Sequence, residues 1–260
     1  MKQTDLLLLK EFLDEKYFLY NHKKFIESDP ICIPHQFTKK QDIEIAAFLA
    51  ATIAWGNRQS IIKNASKLMQ FMDFEPHSFV TNATTKDIKV FSKFVHRTFN
   101  GDDCMFFIQS LKHLYKKNGS LEVLFSKGIK ATDETIKNGI VNFREEFFSI
   151  QHPARTQKHV SNPSKNSSSK RLCMFLRWMV RTDKAGVDFG IWKTIKPAQL
   201  CLPLDLHTGN VSRKLGLLNR TQNDWQAVEE VTTLLRKLDS KDPVKYDFAL
   251  FGLGVFEKFK

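Results

Sequence analysis

The chain has 260 residues, 42% of them hydrophobic and 26% charged, a composition that excludes an intrinsically disordered or collagen-like protein. No apolar run approaches the roughly 20 residues that span a bilayer, and the N-terminal stretch lacks the length and cleavage site of a signal peptide. We therefore expect a cytoplasmic protein with no membrane partner. The 40 Lys and Arg residues against 28 Asp and Glu give a net charge of +12, which favours a polyanion such as nucleic acid as the partner.

The apolar residues recur with a period of about 3.6, and no convincing run of alternating strand residues is present, so the sequence predicts an all-α fold. Asp42 is predicted to cap a core helix that runs to about Ala54. A second helix is predicted to start near Ser60. Apolar spacing predicts further helices around residues 106–115 and 136–147.

The excess charge is concentrated in one segment, because residues 155–182 contain seven basic residues and no acidic one. The first half of this segment, residues 156–169, is rich in Ser, Asn, Gln and Lys and contains a proline, which is typical of an exposed loop. Taken alone, this loop fits a solvated linker as well as a phosphate-binding surface. The residues leave both interpretations open.

The remaining predicted helices follow this loop. Apolar residues recur at helical spacing after Lys170, which places this lysine at or near a helix N-terminus. Asn223 and Gln226 resemble a capping box for the next long helix. The final helix is predicted to start at Asp242 and to end at the glycines of residues 252–254.

The four cysteines, at positions 32, 104, 173 and 201, form no C-x-x-C pair and show no spacing typical of a zinc or iron–sulfur site. Because we expect a cytoplasmic protein, we expect these thiols to be reduced and mostly buried. We also expect no metal, no iron–sulfur cluster and no other cofactor.

The most informative segment is LPLDLHTGNVSRKLGLL at residues 202–218. Asp205 and His207 follow a proline and precede a short amphipathic helix that offers Arg213 and Lys214 to solvent. This pattern resembles the P-(L/V)-D-x-H-x-x-R-(V/I)-x-x-(R/K)-L segment of the helix-hairpin-helix DNA glycosylase superfamily. In that superfamily the aspartate of the motif is the catalytic carboxylate, and the resemblance implies this role for Asp205.

Two further segments fall in the order that the superfamily requires. LAATIAWGNRQSIIKNASKL at residues 49–68 resembles the early helix, polar turn and second helix with which these enzymes enter DNA. The resemblance implies that Trp55, Asn57 and Arg58 bind the base or fill the gap that an extruded base leaves. SSSKRLCMFL resembles the end of the superfamily's hairpin, where bifunctional members carry a lysine nucleophile, and this implies that role for Lys170.

The chain also departs from that superfamily. NPSKNSSS at residues 162–169 replaces the glycine-rich hairpin, and the C-terminal cysteine cluster of the iron–sulfur members is missing. The interval between Lys170 and Asp205 is longer than in endonuclease III-like members and is similar to that of an archaeal 8-oxoguanine glycosylase branch. As a whole, the chain is most similar to a bacterial family of conserved hypothetical proteins.

The residue types suit cleavage of an N-glycosidic bond. A carboxylate such as Asp205 stabilises the positive charge that develops on the sugar and accepts a proton from the attacking nucleophile. A lysine amine such as Lys170 can attack the anomeric carbon and form a Schiff base, provided that the amine is neutral. Burial, a helix N-terminus and the neighbours Arg171 and Arg177 would each disfavour the charged form of this amine.

Each of these residues also has a structural alternative. Lys170 could be a surface lysine that contacts phosphate or nothing, and Asp205 could be the cap of the helix that starts near Thr208. His207 is expected to be a hydrogen-bonding structural residue near the site. Trp55 could equally belong to the core.

We expect one glycosylase-like unit over residues 1–260, all-α, with two helical lobes and a DNA-binding cleft between them. The first lobe covers approximately residues 40–154, and residues 155–260 carry the basic loop, the hairpin-like segment and the catalytic aspartate. The residues expected to contact the DNA backbone are Lys158, Lys165, Arg171, Arg177, Arg213 and Lys214.

The leading hypothesis is a monomeric, nucleoid-associated DNA repair glycosylase that excises a damaged base from double-stranded DNA, with or without lyase activity. The first alternative is a non-catalytic nucleic-acid-binding protein that retains the glycosylase scaffold. The second is a basic helical protein that acts on another anionic ligand.

Overall fold

The computed structural model describes residues 3–130 and 132–259, and within these residues the regular structure is helical, with no β-strand. The all-α prediction is therefore confirmed. None of the described helices is both long and apolar enough to cross a membrane. The α-helices in chain order are α1 (Gln3–Tyr20), α2 (Lys24–Ser28), α3 (Lys40–Thr52), α4 (Arg58–Gln70), α5 (Pro76–Asn82), α6 (Thr85–Ile88), α7 (Gly101–Asn118), α8 (Leu121–Lys127), α9 (Lys137–Phe147), α10 (Lys170–Val180), α11 (Leu206–Lys214), α12 (Trp225–Leu238) and α13 (Tyr246–Val255).

The chain divides into two compact units. The first unit contains Met1–Phe25, Ala131–Lys137 and Asn162–Lys260, and the second contains Ile26–Lys130 and Asn138–Ser161. The N-terminal helix α1 thus belongs with the C-terminal part of the chain, and the basic segment of residues 155–182 is divided between the units. The DNA-binding cleft between two lobes stays a prediction.

In the first unit, α13 is a nearly continuous apolar helix, and both α1 and α11 pack against it. Gly252 permits the first contact, because a Cβ at this position would lie 2.0 Å from the ring of Tyr20. Gly254 permits the second, because a Cβ there would lie 3.1 Å from Cβ of His207. The predicted end at these glycines is one residue short of the observed end at Val255, and both glycines lie inside α13 at points of close helix contact.

In the second unit, α3 is the central helix, with α4 and α5 packed against it. Its residues from Asp42 to Thr52 are all buried. Phenylalanines from α3, α7 and α9 fill the core around it. The ring centroid of Phe107 lies 5.8 Å from that of Phe48 and 4.8 Å from that of Phe147. Such ring pairs add about 0.5–1.5 kcal/mol each beyond the burial of their area.

Two predicted helix caps are corrected by the structure. Asp42 lies inside the first turn of α3, where its carboxylate accepts a hydrogen bond from the backbone N–H of His77 at 2.8 Å. Asp224, rather than Asn223, caps α12, because its side chain accepts the backbone N–H three positions further on at 3.1 Å. In both cases the side chain that the local pattern assigned to a cap makes a tertiary hydrogen bond instead. Asp42 bonds to His77, and Asn223 bonds to the backbone of Asp205.

The four cysteines are free thiols, of which three are buried and Cys32 is half-buried, as expected. Burial raises the pKa of the Cys104 and Cys173 thiols well above the usual range and that of Cys201 to about 11. These three thiols are therefore protonated and weakly nucleophilic at neutral pH. In the described part of the chain, no three His, Cys, Asp or Glu side chains are grouped as they are around a metal ion.

Candidate functional site

The two residues to which the resemblance assigns the chemistry lie side by side in the first unit. Nζ of Lys170 is 3.7 Å from Oδ2 of Asp205. Lys170 is the first residue of α10, as predicted, and Asp205 is the N-cap of α11. Their side chains are 30% and 25% exposed, so both can be reached by a ligand and both are held by surrounding structure.

Asp205 uses its two carboxylate oxygens differently. Oδ1 accepts hydrogen bonds from the backbone N–H groups of His207 at 2.9 Å and Thr208 at 3.0 Å, which caps α11. The N–H of Asp205 donates to the Thr208 hydroxyl at 2.9 Å and completes a capping box. Oδ2 faces Lys170, while the imidazole of His207 is exposed. A capping role and a chemical role are thus compatible in one side chain, and the cap fixes the orientation of the carboxylate.

The loop before Lys170 is anchored on the N-terminus of α12. Nδ2 of Asn166 donates to Oδ2 of Asp224 at 2.9 Å, and the backbone carbonyl of Asn166 accepts from the N–H of Trp225 at 3.2 Å. Ser169 then turns the chain into α10 with a φ of 49°, in the left-handed region. The segment that the composition indicated as an exposed loop therefore has a defined path, and this path sets the position of Lys170.

Further hydrogen bonds hold the backbone of Asp205. Nδ2 of Asn223 donates to the carbonyl of Asp205 at 2.9 Å, and Nη2 of Arg213 donates to Oδ1 of Asn223 at 2.6 Å. Arg213 also donates to the carbonyls of Arg220 and Thr221, at 2.8 Å each. These internal acceptors engage Nε and Nη2 of the half-buried Arg213, and its contact with phosphate stays a prediction. Its role in the structure is to hold the segment around Asp205.

Among the predicted DNA contacts, Arg177 is corrected by the structure. It is only 4% exposed, its Nε lies 3.2 Å from Oδ1 of Asp188, and its Nη1 pairs with Oδ2 of Asp247. Arg181, one turn further along the chain, is 1% exposed and shares Asp188. A buried guanidinium with two carboxylate partners is not available to a phosphate, because its removal from them would leave buried charges unpaired.

Five of the six predicted backbone contacts, Arg213 among them, keep a side chain at or near the surface. Lys158, Lys165 and Lys214 are exposed, the first in the second unit and the other two in the first. Arg171 is half-buried, and burial lowers its pKa to about 10, which leaves the guanidinium charged at neutral pH. These residues retain the positive charge that a polyanion partner requires.

The predicted gap-filling residues lie in and beside the turn that joins α3 to α4 in the second unit. Trp55 is half-buried, with its ring centroid 5.0 Å from that of His96 and 6.0 Å from that of His159. Asn57 is exposed and caps α4, because its Oδ1 accepts a backbone N–H of the first turn at 3.1 Å. Arg58 is the half-buried first residue of α4. The predicted order of helix, polar turn and helix is present.

A buried polar cluster next to Trp55 was missed by the sequence analysis. Nε2 of His159 lies 3.2 Å from Oδ2 of the fully buried Asp103, and Oδ1 of Asp103 accepts from the hydroxyl of Thr156 at 2.7 Å. Arg155 pairs with the same carboxylate at 2.6 Å. Burial alone would raise the pKa of Asp103, but the bond from Thr156 and the nearby Arg155 hold it below its usual value.

His96, in the segment between α6 and α7, contacts both this turn and α4. Its Nε2 lies 3.2 Å from the carbonyl oxygen of Trp55, and its Nδ1 lies 2.9 Å from Nδ2 of Asn64. Burial lowers the pKa of His96, so the imidazole is neutral at neutral pH. His96 and His159 lie far from Trp55 in the sequence, so no local pattern could have shown that they are its neighbours.

The family described as "Protein of unknown function (DUF2400)" matches residues 29–256. The chain belongs to the DUF2400 family. The matched range includes the turn with Trp55 as well as the helix starts that carry Lys170 and Asp205. No curated protein and no solved structure matches the chain.

Proposed function

We propose that the chain is a DNA glycosylase that removes a damaged base from double-stranded DNA. The observation that carries the proposal is the pair formed by Lys170 and Asp205, whose amine and carboxylate lie 3.7 Å apart at the starts of two helices. An amine and a carboxylate at this separation can act on the same sugar carbon, which is the geometry that the glycosylase hypothesis requires.

Asp205 stabilises the transition state in this function. As the glycosidic bond breaks, positive charge develops on the sugar, and a fixed carboxylate close to that charge lowers the barrier. The bonds to Oδ1 hold the carboxylate in place, and Oδ2 is the oxygen directed to Lys170 and therefore to the sugar. The carboxylate is oriented before the substrate arrives, so no reorganisation is needed during the reaction.

Lys170 is the nucleophile in the bifunctional form of this reaction. Its neutral amine forms a bond to the anomeric carbon of the sugar, and the bond from that carbon to the base breaks, with the electron pair leaving on the base. A carboxylate such as Asp205 takes a proton from the nitrogen, whose lone pair then forms the imine as the bond from the anomeric carbon to the ring oxygen breaks, and the ring oxygen keeps that electron pair and takes up the proton. Borohydride reduces this imine to a stable covalent adduct between protein and DNA.

Binding of the duplex is assigned to basic residues that keep a side chain at or near the surface. Lys158, Lys165, Lys214 and Arg171 carry the charge that meets phosphates. Because the glycosidic bond is inaccessible within the stack, the base must leave the helix first. Trp55, Asn57 and Arg58 belong to the second unit, and their role in filling the space that a base vacates stays a prediction.

The test is a panel of duplexes that each carry one modified base, incubated with the protein in the presence and absence of borohydride, with the unmodified duplex as the control. We expect release of at least one modified base and a trapped adduct on the same duplex. Tight binding without release of any base would support the non-catalytic nucleic-acid-binding alternative. Absence of binding to every duplex would favour a different anionic ligand.

A further inference from the structure

The second unit has a basic region that the sequence analysis did not single out. It consists of residues 45–72 and 90–101, and neither segment contains an acidic residue. His96 joins the two segments, because its Nε2 lies 3.2 Å from the carbonyl oxygen of Trp55 and its Nδ1 lies 2.9 Å from Nδ2 of Asn64. The basic residues of the region are Arg58, Lys63, Lys67, Lys93 and Arg97.

Arg97 occupies the tip of a tight turn in this region. His96 and Phe99 close the turn with two backbone hydrogen bonds, of 2.8 and 2.9 Å. Between them, Arg97 has a φ of 53°, in the left-handed region that a side chain with a Cβ adopts only at an energetic cost. Glycine or asparagine would fit this position with less strain, so the turn itself does not explain an arginine here.

The side chain of Arg97 lies across the backbone of Gly56. Gly56 has a φ of 100°, and a Cβ at this position would lie 3.0 Å from Nη1 and 3.2 Å from Cδ of Arg97. The guanidinium is therefore held beside the turn that carries Trp55 and Asn57. Arg97 is exposed, and within the described part of the chain no carboxylate pairs with it. Its donors are thus available to an anion from outside the protein.

A second arginine, Arg155, fixes the turn from inside the unit. Its Nη1 donates to Oδ1 of Asn100 at 2.7 Å and to Oδ2 of the buried Asp103 at 2.6 Å. Its Nη2 donates to the carbonyl oxygen of Thr98, the residue after Arg97, at 2.9 Å. Because the turn is anchored in this way, Arg97 can bind an anion with little loss of conformational freedom in the backbone.

We propose that Arg97 binds a phosphate of the DNA backbone, at a site that its guanidinium forms beside Gly56. The choice of DNA as the ligand rests on the function proposed above, but the site belongs to the second unit alone. The planar guanidinium matches two oxygens of a phosphate, and the absence of acidic residues from both segments leaves the anion unopposed. A phosphate contact reads no base, so it should be the same for damaged and undamaged DNA.

The test is the binding of an unmodified DNA duplex to the full chain, followed by fluorescence anisotropy from about 50 to 200 mM salt. In Arg97→Gln we expect the slope of log affinity against log salt concentration to flatten by about one, because one phosphate contact is lost. Arg97→Lys keeps the charge and should keep the wild-type slope. Arg97→Gly should flatten the slope like Arg97→Gln, yet unfold at the same or a higher urea concentration than the wild type, because glycine relieves the strain of the turn.

Lys116→Gln is the matched control variant. Lys116 is an exposed basic residue of the same unit in the last turn of α7, whereas the turn of Arg97 immediately precedes the first turn of this helix. The two positions are thus about 20 Å apart along the helix axis. We expect Lys116→Gln to bind the duplex with the wild-type slope. In the wild type, the duplex should also protect Arg97 from an arginine-selective dicarbonyl reagent, as measured by peptide mass spectrometry.

Equal slopes for Arg97→Gln and the wild type, or equal flattening in Arg97→Gln and Lys116→Gln, would overturn the inference. So would a wild type that binds no duplex, or a duplex that leaves the modification rate of Arg97 unchanged. The panel of modified duplexes reports separately on the proposed function. Base release together with an unaltered slope in Arg97→Gln would remove the phosphate site and leave the glycosylase, whereas a flattened slope without any base release would do the opposite.

Discussion

The two ends of α10 use basic residues in opposite ways. At the N-terminal end, Lys170 is 30% exposed and faces one carboxylate that is itself partly exposed. Towards the C-terminal end, Arg177 is 4% exposed and divides its charge between two buried aspartates. The sequence presents both as members of one basic segment. The comparison shows that the charge of this segment serves two purposes: some of it balances the interior of the first unit, and some is offered to a ligand.

The most severe loss is expected at the exposed end of the helix. In Lys170→Gln the amine is replaced by an amide nitrogen whose lone pair is delocalised and cannot form an imine, so the borohydride-trapped adduct should be absent. Folding stability should change by less than about 1 kcal/mol, because a partly exposed ion pair contributes little. Gel analysis of trapped adduct and denaturant unfolding measure the two effects. A persistent adduct would mean that another amine is the nucleophile, whereas base release without adduct in the wild type would indicate an activated water.

Asp205→Asn should lower the rate of base release by about 100- to 10,000-fold, because the charge that stabilises the transition state is removed. Asparagine is as good an N-cap as aspartate, so α11 should keep its start, and DNA affinity should be similar or higher because a negative charge near phosphates is lost. Single-turnover base release and duplex binding are the measurements. As a control, Asp205→Ala should lose the cap as well, at about 1 kcal/mol of unfolding free energy. Wild-type cleavage by Asp205→Asn would contradict the catalytic assignment.

At the buried end, the effect should be on folding. Arg177→Met leaves Asp188 and Asp247 without their shared partner, and we expect the free energy of unfolding to fall by about 3–5 kcal/mol. Lys165→Met, at an exposed lysine of the same segment, should change it by less than about 0.5 kcal/mol. Urea unfolding of both variants checks the contrast. Similar stabilities for the two variants would contradict the view that the buried ion pairs of Arg177 stabilise the fold.

The pH dependence of stability gives a smaller signal from the same buried region. Because burial raises the pKa of Asp247 to about 6 from the usual 3.8, the folded state holds a proton between these pH values that the unfolded state has lost. Stability due to this group is therefore present below about pH 4 and is lost as the pH rises through 6, by about 1–3 kcal/mol. Asp247→Asn should remove this component. Parallel stability curves for variant and wild type between pH 4 and 7 would exclude it.

The smallest expected effect concerns DNA binding by the exposed lysines. Lys165→Gln combined with Lys214→Gln should flatten the dependence of log affinity on log salt concentration by about two, if each lysine meets one phosphate. The control is the same charge change at Lys86 and Lys89, which are exposed lysines of the second unit. Duplex binding titrated from 50 to 200 mM salt (about the range in which such contacts matter) measures both slopes. If the slope of the variant with Lys165→Gln and Lys214→Gln equals that of the wild type, these two lysines do not contact DNA phosphates.

The local pattern of the sequence was sufficient for the helices and for their buried faces. The long helix predicted after Asn223 is present as α12 with a buried apolar face, and Lys170 begins α10 as the apolar spacing indicated. Helix formation depends on residues three and four positions apart, so a single sequence contains the information. The motif around Asp205 could likewise be found in the sequence because its residues are consecutive.

Only the tertiary structure decided which polar groups are free to act. Arg177 finds its carboxylate partners 11 and 70 residues away in the chain, and Asn223 is drawn from its predicted cap to the carbonyl of Asp205. Neither pairing leaves a trace in local spacing. The same holds for the 3.7 Å approach of Lys170 to Asp205, which lie 35 residues apart in the chain, with α11 packed against α13 and α10 joined to α13 by the pair of Arg177 and Asp247. Periodicity is a property of neighbours in the chain, whereas the pairing of a buried charge depends on residues that folding alone brings together.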